Sequence, residues 1–219
     1  MDTAFIIKYL PLYWDAMGVV LGLCFWGVLF SLIIGFCCAL VRYYRVPVLQ
    51  RLFGVYIELS RNTPLMIQLF FLYFGLPRVG IKLESYTCAI TGLAFLGGSY
   101  MAEAFRGGLE AIGKAQTEAG LSIGLSQMQL IWYIILPQAL AVALPGLGAN
   151  VIFLLKETSI VSVVALADLM FVAKDLIGMY YKTNEALLML VISYLALLLP
   201  LSFLFRFMER RLRYAGFGN

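Results

Sequence analysis

Long apolar stretches alternate along this chain with short polar segments that hold nearly all of its charges. A helix that crosses a bilayer needs about 20 mostly apolar residues. Met17 to Val41 has no charged residue and meets that length. Ala186 to Phe205 meets it as well and ends at Arg206. Ser85 to Ala102 is slightly short and reaches span length by continuing through Glu103 and Phe105. Leu52 to Leu76 contains Glu58, Arg61, Asn62 and Pro64, which makes it a compromised span. The uncharged run from Gly120 to Leu155 holds one span, starting near Pro137, and a further segment before it. The pattern predicts an all-α, polytopic membrane protein with five transmembrane helices.

The loop charges set an orientation. Arg42, Arg45, Arg51, Arg106, Lys114, Arg206, Arg210, Arg211 and Arg213 fall on one side, with Glu110, Glu118 and Glu209, a net charge of +6. Lys8, Arg78, Lys82, Lys156, Lys174 and Lys182 fall on the other, with seven acidic residues, a net charge of −1. Basic residues are retained on the cytoplasmic face, so the first side is cytoplasmic, the amino terminus outside and the carboxyl terminus inside. The start of the chain is nearly neutral and its first apolar run is too long for a secretory signal, so that run is expected to stay in the mature protein. Between spans four and five, Glu157 to Asn184 is amphipathic and too short and charged to cross; it is expected to lie partly re-entrant or along the outer surface. With no internal repeat or soluble domain, residues 1–219 form a single membrane domain.

Composition agrees. Hydrophobic residues make 63% of the chain and charged ones 13%, against roughly 45–50% and about 25% in soluble domains. The modest net charge of +4 is not gathered into a nucleic-acid patch. Cys24, Cys37, Cys38 and Cys88 lie in apolar stretches without metal-ligand spacing.

One cytoplasmic stretch stands out: "TEAGLSIGLSQMQLIWYIILPQALAVALP", Thr117 to Pro145. Thr117-Glu118-Ala119-Gly120 reads as a helix start, with acidic charge near the positive end of the dipole. Gly120 and Gly124 permit a tight turn or close backbone approach. Leu125 to Ile135 can form a second short helix, and Pro137 then opens the next span. The result is a protrusion of short helices, apolar enough to dock on something and too poor in charge for a solvated loop. Just before it, "GLEAIGKA" (Gly108–Ala115) imitates a phosphate loop, but Ala115 stands where the magnesium-binding hydroxyl belongs and no strand leads in, so nucleotide binding by this chain is rejected.

The spacing Glu118-Ala119-Gly120, three residues, Gly124, nine residues, Ile134, one residue, Leu136-Pro137 resembles the EAA loop of permease subunits of ABC importers, with Gly120 where alanine is usual. "ELSRNTPLMIQLFFLYFGLP" (Glu58–Pro77), "SYMAEAFRGGLEAIGKAQTEAG" (Ser99–Gly120), "ILPQAL" and "LLKETSIVSVVALADL" are similar to successive motifs of the polar amino-acid branch, with Asn62 where glycine is common. The resemblance covers nearly the whole chain and implies a type I importer-like transmembrane domain. It further implies that residues 106–136 are a cytoplasmic coupling loop seated on a separate ATPase dimer. Glu118 would contact the ATPase, Gly124 would allow the turn and Pro137 would join the loop to span four. The implied partners are that ATPase, which holds ATP and magnesium, a second permease chain, identical or not, and a solute-binding protein outside that delivers an amino acid. The chain itself would carry no cofactor or catalytic residue, in a prokaryotic cell membrane.

Ionisable groups at membrane depth are functional or paired. Glu103 lies three positions before Arg106: either the two form an ion pair, or Glu103 faces the cavity and meets the substrate's ammonium, with Tyr100 one turn earlier as a hydroxyl or cation–π face. A basic side chain on the substrate is suggested by this carboxylate. Glu58, Arg61, Asn62, Thr63 and Pro64 interrupt span two, where freed backbone groups can meet a polar substrate. Glu58 and Arg61 are spaced to pair, and that pairing is the favoured reading; unpaired, Arg61 can hold a carboxylate. Gln68 either is a cavity residue or makes an interhelical hydrogen bond, and Asn150 is a cavity or dimer-interface residue. Lys156-Glu157 reads as a charged helix terminus.

Two other classes compete. An ion-coupled secondary carrier has only Glu58 and Glu103 as span-embedded proton carriers and lacks an inverted repeat. An intramembrane enzyme has no histidine, no zinc-protease motif and no serine elbow to work with.

Overall fold

The computed structural model describes residues 1–216, with side chains through Arg211; the Arg213 side chain, counted above for orientation, lies outside the described residues. The described chain is helical: α1 (Thr3–Tyr43), α2 (Leu49–Arg61), α3 (Leu65–Phe70), α4 (Ser85–Glu110), α5 (Lys114–Ser122), α6 (Gln127–Leu130), α7 (Leu136–Glu157), α8 (Leu169–Tyr180) and α9 (Thr183–Gly216). A π-turn at Phe71–Gly75 and a 3-10 turn at Leu76–Val79 extend α3, a π-turn at Ile131–Ile135 joins α6 to α7, and a 3-10 segment, Thr158–Val164, follows α7.

Four helical stretches among the described residues are long and apolar enough to cross a bilayer: Thr3–Tyr43, Ser85–Glu110, Gln127–Val164 and Thr183–Arg211. The stretch predicted as a compromised second span is instead two pieces, α2 and the shorter apolar helix Leu65–Val79. Pro64 lacks an amide hydrogen and disfavours helical geometry in the residue before it, so α2 closes at Arg61 and α3 starts afresh.

The main packing seam runs between α1 and α4. On α1, Gly27, Ser31 and Gly35 are spaced one turn apart and present almost no side chain. Met101 and the Ala102 backbone of α4 lie so near Gly35 that an added Cβ would come within 2.5 and 2.8 Å of them. Close backbone approach through small residues is how membrane helices gain packing contacts where the hydrophobic effect is absent. Ser31 is fully buried and donates its hydroxyl to the carbonyls of Gly27 (2.6 Å) and Leu93 (3.3 Å), so its polar group is satisfied on both sides of the seam.

Helix α1 is longer than its predicted span. At 1.5 Å per residue its 41 residues extend about 60 Å, twice the thickness of a hydrocarbon core. The first part packs against α8 and α9 in a separate core of Phe5, Tyr9, Tyr13, Leu176 and Met189. Tyr13 is 1% exposed and donates its hydroxyl to the Ala186 carbonyl at 2.8 Å. Asp2 caps α1 by accepting from the Phe5 amide (3.1 Å) and pairs with Lys182 (3.2 Å); the Phe5 amide first, then Lys182, hold its carboxyl below the usual aspartate range. The segment expected to lie partly re-entrant or along the outer surface turns back into the bundle at its start, where Val161 and Val164 are buried and the 3-10 turn packs against α3 and α4. Asp168, also buried, caps α8 through the Met170 and Phe171 amides.

Candidate functional site

Where α2 breaks from α3, a pocket of about 390 Å³ with mixed polar and apolar walls opens toward α4 and α7. Its floor follows from the break. Asn62 closes α2, its backbone amide and its side-chain Nδ2 both donating to the Glu58 carbonyl (3.1 and 2.8 Å). Gln68, on the first turn of α3, donates to the carbonyls of Ser60 (3.1 Å) and Thr63 (3.0 Å). Between these two carboxamides, Arg61, Asn62, Thr63 and Pro64 line the pocket.

The Arg61 guanidinium carbon lies 5.0 Å from the centre of the Tyr100 ring on α4. That ring is 5.1 Å from Phe153 on α7, and Asn150 of α7 donates to the Tyr100 carbonyl at 3.1 Å. Glu157, at the last turn of α7, lines the same pocket, half-buried, and no hydrogen bond or ion pair engages its carboxylate among the described residues. Leu65, Leu96 and Ile160 supply apolar wall. A cation and an uncommitted carboxylate flanking aromatic surface suit a small zwitterion: Arg61 for a carboxylate, Glu157 for an ammonium.

Of the residues expected along the path, Arg61, Asn62, Thr63 and Tyr100 come together here. Gln68 and Asn150 brace the pocket from behind. The favoured Glu58–Arg61 pairing does not form: Glu58 accepts from Asn62 (3.2 Å), and the aromatic face draws Arg61 away. Glu103 stands apart from the pocket. One carboxylate oxygen pairs with Arg42 of α1 and the other with Arg106 at 2.6 Å, which also reaches Glu110 at 2.6 Å. Of its two readings, the ion pair is the one the geometry carries, and it ties two helices where the sequence suggested one. Glu157 and Phe153 were missed. Asn150, Phe153 and Glu157 recur at helical spacing on one face of α7, and that periodicity was the available signal.

The second candidate region is the hairpin of α5 and α6. Helix α5 starts at Lys114 after Gly113, earlier than the Thr117–Gly120 start expected from sequence, so Glu118 and Ala119 lie mid-helix and exposed. Gly124, at φ 82°, ends α5: its amide donates to the Leu121 carbonyl (3.0 Å) and the Leu125 amide to the Gly120 carbonyl (3.2 Å). This is the paired closure that a left-handed glycine permits. Ser126 and Gln129 form a reciprocal capping box at the start of α6. Gly120 is buried against α6, where an added Cβ would lie 2.5 Å from the tip of Leu130. Through the π-turn, the chain enters α7 with Leu136 and Pro137 in its first turn. The outward face carries Ile123 (76% exposed), Met128, Trp132 and Tyr133 (75%), apolar groups that the hairpin does not itself cover. Gly108, from the imitation phosphate loop, is a packing residue of α4, facing Ala143 and the Ala139 carbonyl of α7.

A family model described as "Binding-protein-dependent transport system inner membrane component" matches residues 27–214. The chain is 39% identical over 171 residues to the probable glutamine ABC transporter permease protein GlnP of Bacillus subtilis (strain 168), covering 78% of each. It is 32% identical over 214 residues to the glutamine transport system permease protein GlnP of Escherichia coli (strain K12), covering 97% of this chain and 98% of that one. Its fold superposes on a chain from the crystal structure of an amino acid ABC transporter with histidines at a TM-score of 0.89, with 33% identity over 96% of this chain and 99% of that one.

Proposed function

Because the chain belongs to the family of inner membrane components of binding-protein-dependent transport systems, and is the permease subunit of an ABC amino-acid importer, we propose that it takes its cargo at the α2–α3 break. The observation that carries this reading is the placement of Arg61 and Glu157 around one pocket. Arg61 meets the α-carboxylate, Glu157 the α-ammonium, and Tyr100 and Phe153 pack against the substrate. The cargo is a polar amino acid, basic ones included; relatives named for glutamine and a similar transporter crystallised with histidines support that class.

In this reading the broken α2–α3 unit joins the four long helices as a fifth crossing, with the amino terminus outside and the carboxyl terminus in the cytoplasm, in a prokaryotic inner membrane. Residues 106–136 are the coupling loop. Glu118, Ala119 and the exposed apolar face of α5–α6 seat in a separate ATPase dimer that holds ATP and magnesium. Gly120 and Gly124 shape the hairpin, and Leu136-Pro137 passes its movement to α7. A second permease chain completes the pathway, and a solute-binding protein loads it from outside.

The test is affinity purification of the chain from its native membrane, mass spectrometry of what stays bound, and uptake assays on the reconstituted assembly. A stoichiometric ATPase should co-purify, and uptake should require ATP. Arg61→Ala and Glu157→Gln should each raise the KM for uptake. A chain that purifies alone and transports on an ion gradient without ATP would overturn the reading.

A further inference from the structure

Pro64 leaves a specific deficit in the pocket wall. In an unbroken helix the amide of residue 64 donates to the carbonyl of Ser60, four residues earlier, and proline has no hydrogen to give. The Gln68 side chain makes that bond: Nε2 donates to the Ser60 carbonyl at 3.1 Å and also to the Thr63 carbonyl at 3.0 Å. Both partners are acceptors, so they fix which end of the carboxamide faces them. Its Oε1 is then buried without a hydrogen-bond partner among the described residues. An orphaned buried acceptor is destabilising, so the arrangement satisfies the backbone of the break and leaves the side chain's own acceptor unmet.

Gln68 does not line the pocket, but the two carbonyls it holds bracket Arg61 and Asn62. Its own position is firm. Leu65 and Leu69, on either side of it in α3, are 3% and 0% exposed, and Leu69 packs against Gly92 of α4. A side chain on a rigid element that grips an irregular one is a means of fixing a site from behind.

We propose that Gln68 is a positioning residue for the amino-acid pocket: its carboxamide stands in for the hydrogen that Pro64 lacks and holds the Arg61–Thr63 backbone in its open form. This rests on the pocket reading given above. A continuous helix would wind Asn62 and Thr63 onto the α2 axis and close the break. A break left uncapped would let the same residues wander. Gln68 prevents the second while Pro64 prevents the first.

The experiment compares Gln68→Leu with the unaltered chain in the whole purified assembly. One measurement is hydrogen–deuterium exchange over residues 58–66. The other is uptake of labelled L-glutamine, L-histidine and L-arginine, scored on whichever the unaltered assembly takes up fastest. Exchange should accelerate across the break, and KM should rise about tenfold, the size of one lost hydrogen bond, with the maximal rate changed far less. Unchanged exchange overturns the proposal. Because Gln68→Leu can also weaken folding, Gln68→Met serves as a second variant: it keeps the unbranched length and packing of the side chain and donates no hydrogen bond to Ser60 or Thr63. Thermal stability near that of the unaltered chain with KM still raised supports positioning; a normal KM with normal exchange overturns the proposal. Arg61→Ala separates the two readings. A raised KM there beside a normal KM in Gln68→Leu removes the role of Gln68 alone, whereas normal values in both remove the pocket and the proposal with it.

Discussion

The guanidinium of Arg61 lies over the ring of Tyr100, 5.0 Å from its centre, while Glu58, three residues earlier on the same helix, accepts a hydrogen bond from Asn62. Spacing along α2 favoured a local ion pair, and the contact across to α4 won. A surface pair three residues apart contributes only about 0.2–0.5 kcal/mol, whereas a cation over an aromatic face contributes about 0.5–1 kcal/mol even at an exposed site such as Arg61. The outcome leaves Arg61 at the pocket with no carboxylate partner among the described residues.

Tyr100→Leu is therefore expected to release Arg61 toward Glu58 and raise the KM for uptake by roughly 2- to 5-fold, the equivalent of the exposed cation–π contact. Tyr100→Phe keeps the face and should stay near the unaltered value. Steady-state uptake by the reconstituted assembly measures both; equal effects of the two variants would assign the role to the hydroxyl instead.

Glu103 offers the contrasting case. Its carboxylate is shared by Arg42 and Arg106, whose side chains are 28% and 31% exposed. Glu103→Gln leaves two guanidinium groups facing each other across the α1–α4 seam. The expected loss is about 1–3 kcal/mol of stability, between the values for exposed and for buried pairs. Arg42→Gln/Glu103→Gln, which removes one charge of each sign, should melt at a higher temperature than Glu103→Gln alone. The KM for uptake should not move in either variant. Thermal denaturation in detergent with uptake kinetics checks this, and a raised KM in Glu103→Gln would return the residue to the substrate path.

Apolar patterning was enough to find the four long helices of the described residues, because a bilayer demands length and apolarity and both are written locally. The amino-terminal extension of α1 was not legible. Its helicity depends on Tyr13 reaching the Ala186 carbonyl and on Phe5 and Tyr9 packing against α8, contacts between residues far apart in sequence. The α2–α3 break was half legible: Pro64 and Asn62 marked its place, but nothing local says that Tyr100 waits for Arg61. Glu157 was passed over because Lys156 beside it suggested a helix end at the interface. Side chains adjacent in a helix point about 100° apart, so Lys156 is exposed while Glu157 faces the pocket.

The two glycines of the α5–α6 hairpin should respond in opposite ways. Gly124 sits at φ 82°, where a Cβ is strained, so Gly124→Ala is expected to cost about 1 kcal/mol or more. At Gly120 an added Cβ meets the side-chain tips of Leu130 (2.5 Å), Ile134 (3.3 Å) and Leu125 (3.6 Å), ends that can shift, and alanine gains up to about 1 kcal/mol in helix propensity, so Gly120→Ala should be neutral or mildly stabilising. Hydrogen exchange across residues 113–130 distinguishes them: faster in Gly124→Ala, unchanged or slower in Gly120→Ala. Acceleration in both would mean that the α5–α6 contact, and not the turn, limits the hairpin.

Glu118 is exposed in the middle of α5, and its side chain has no hydrogen-bond or ion-pair partner among the described residues. Beyond the helix's own backbone bonds, its carbonyl accepts from the Ser122 hydroxyl at 2.8 Å, and that bond survives any change of the Glu118 side chain. Lysine has nearly the helix propensity of glutamate. Nothing among the described residues therefore resists Glu118→Lys, and its membrane insertion and melting temperature should be unchanged. A partner surface shaped for a carboxylate would meet an ammonium instead, and like-charge contact at a docked interface costs several kcal/mol. Glu118→Lys is expected to abolish substrate-stimulated ATP hydrolysis in the reconstituted assembly while the chain stays folded in the membrane. Retained stimulation would show that α5 does not dock through this residue, and would move the coupling contact toward the exposed apolar face at Ile123, Trp132 and Tyr133.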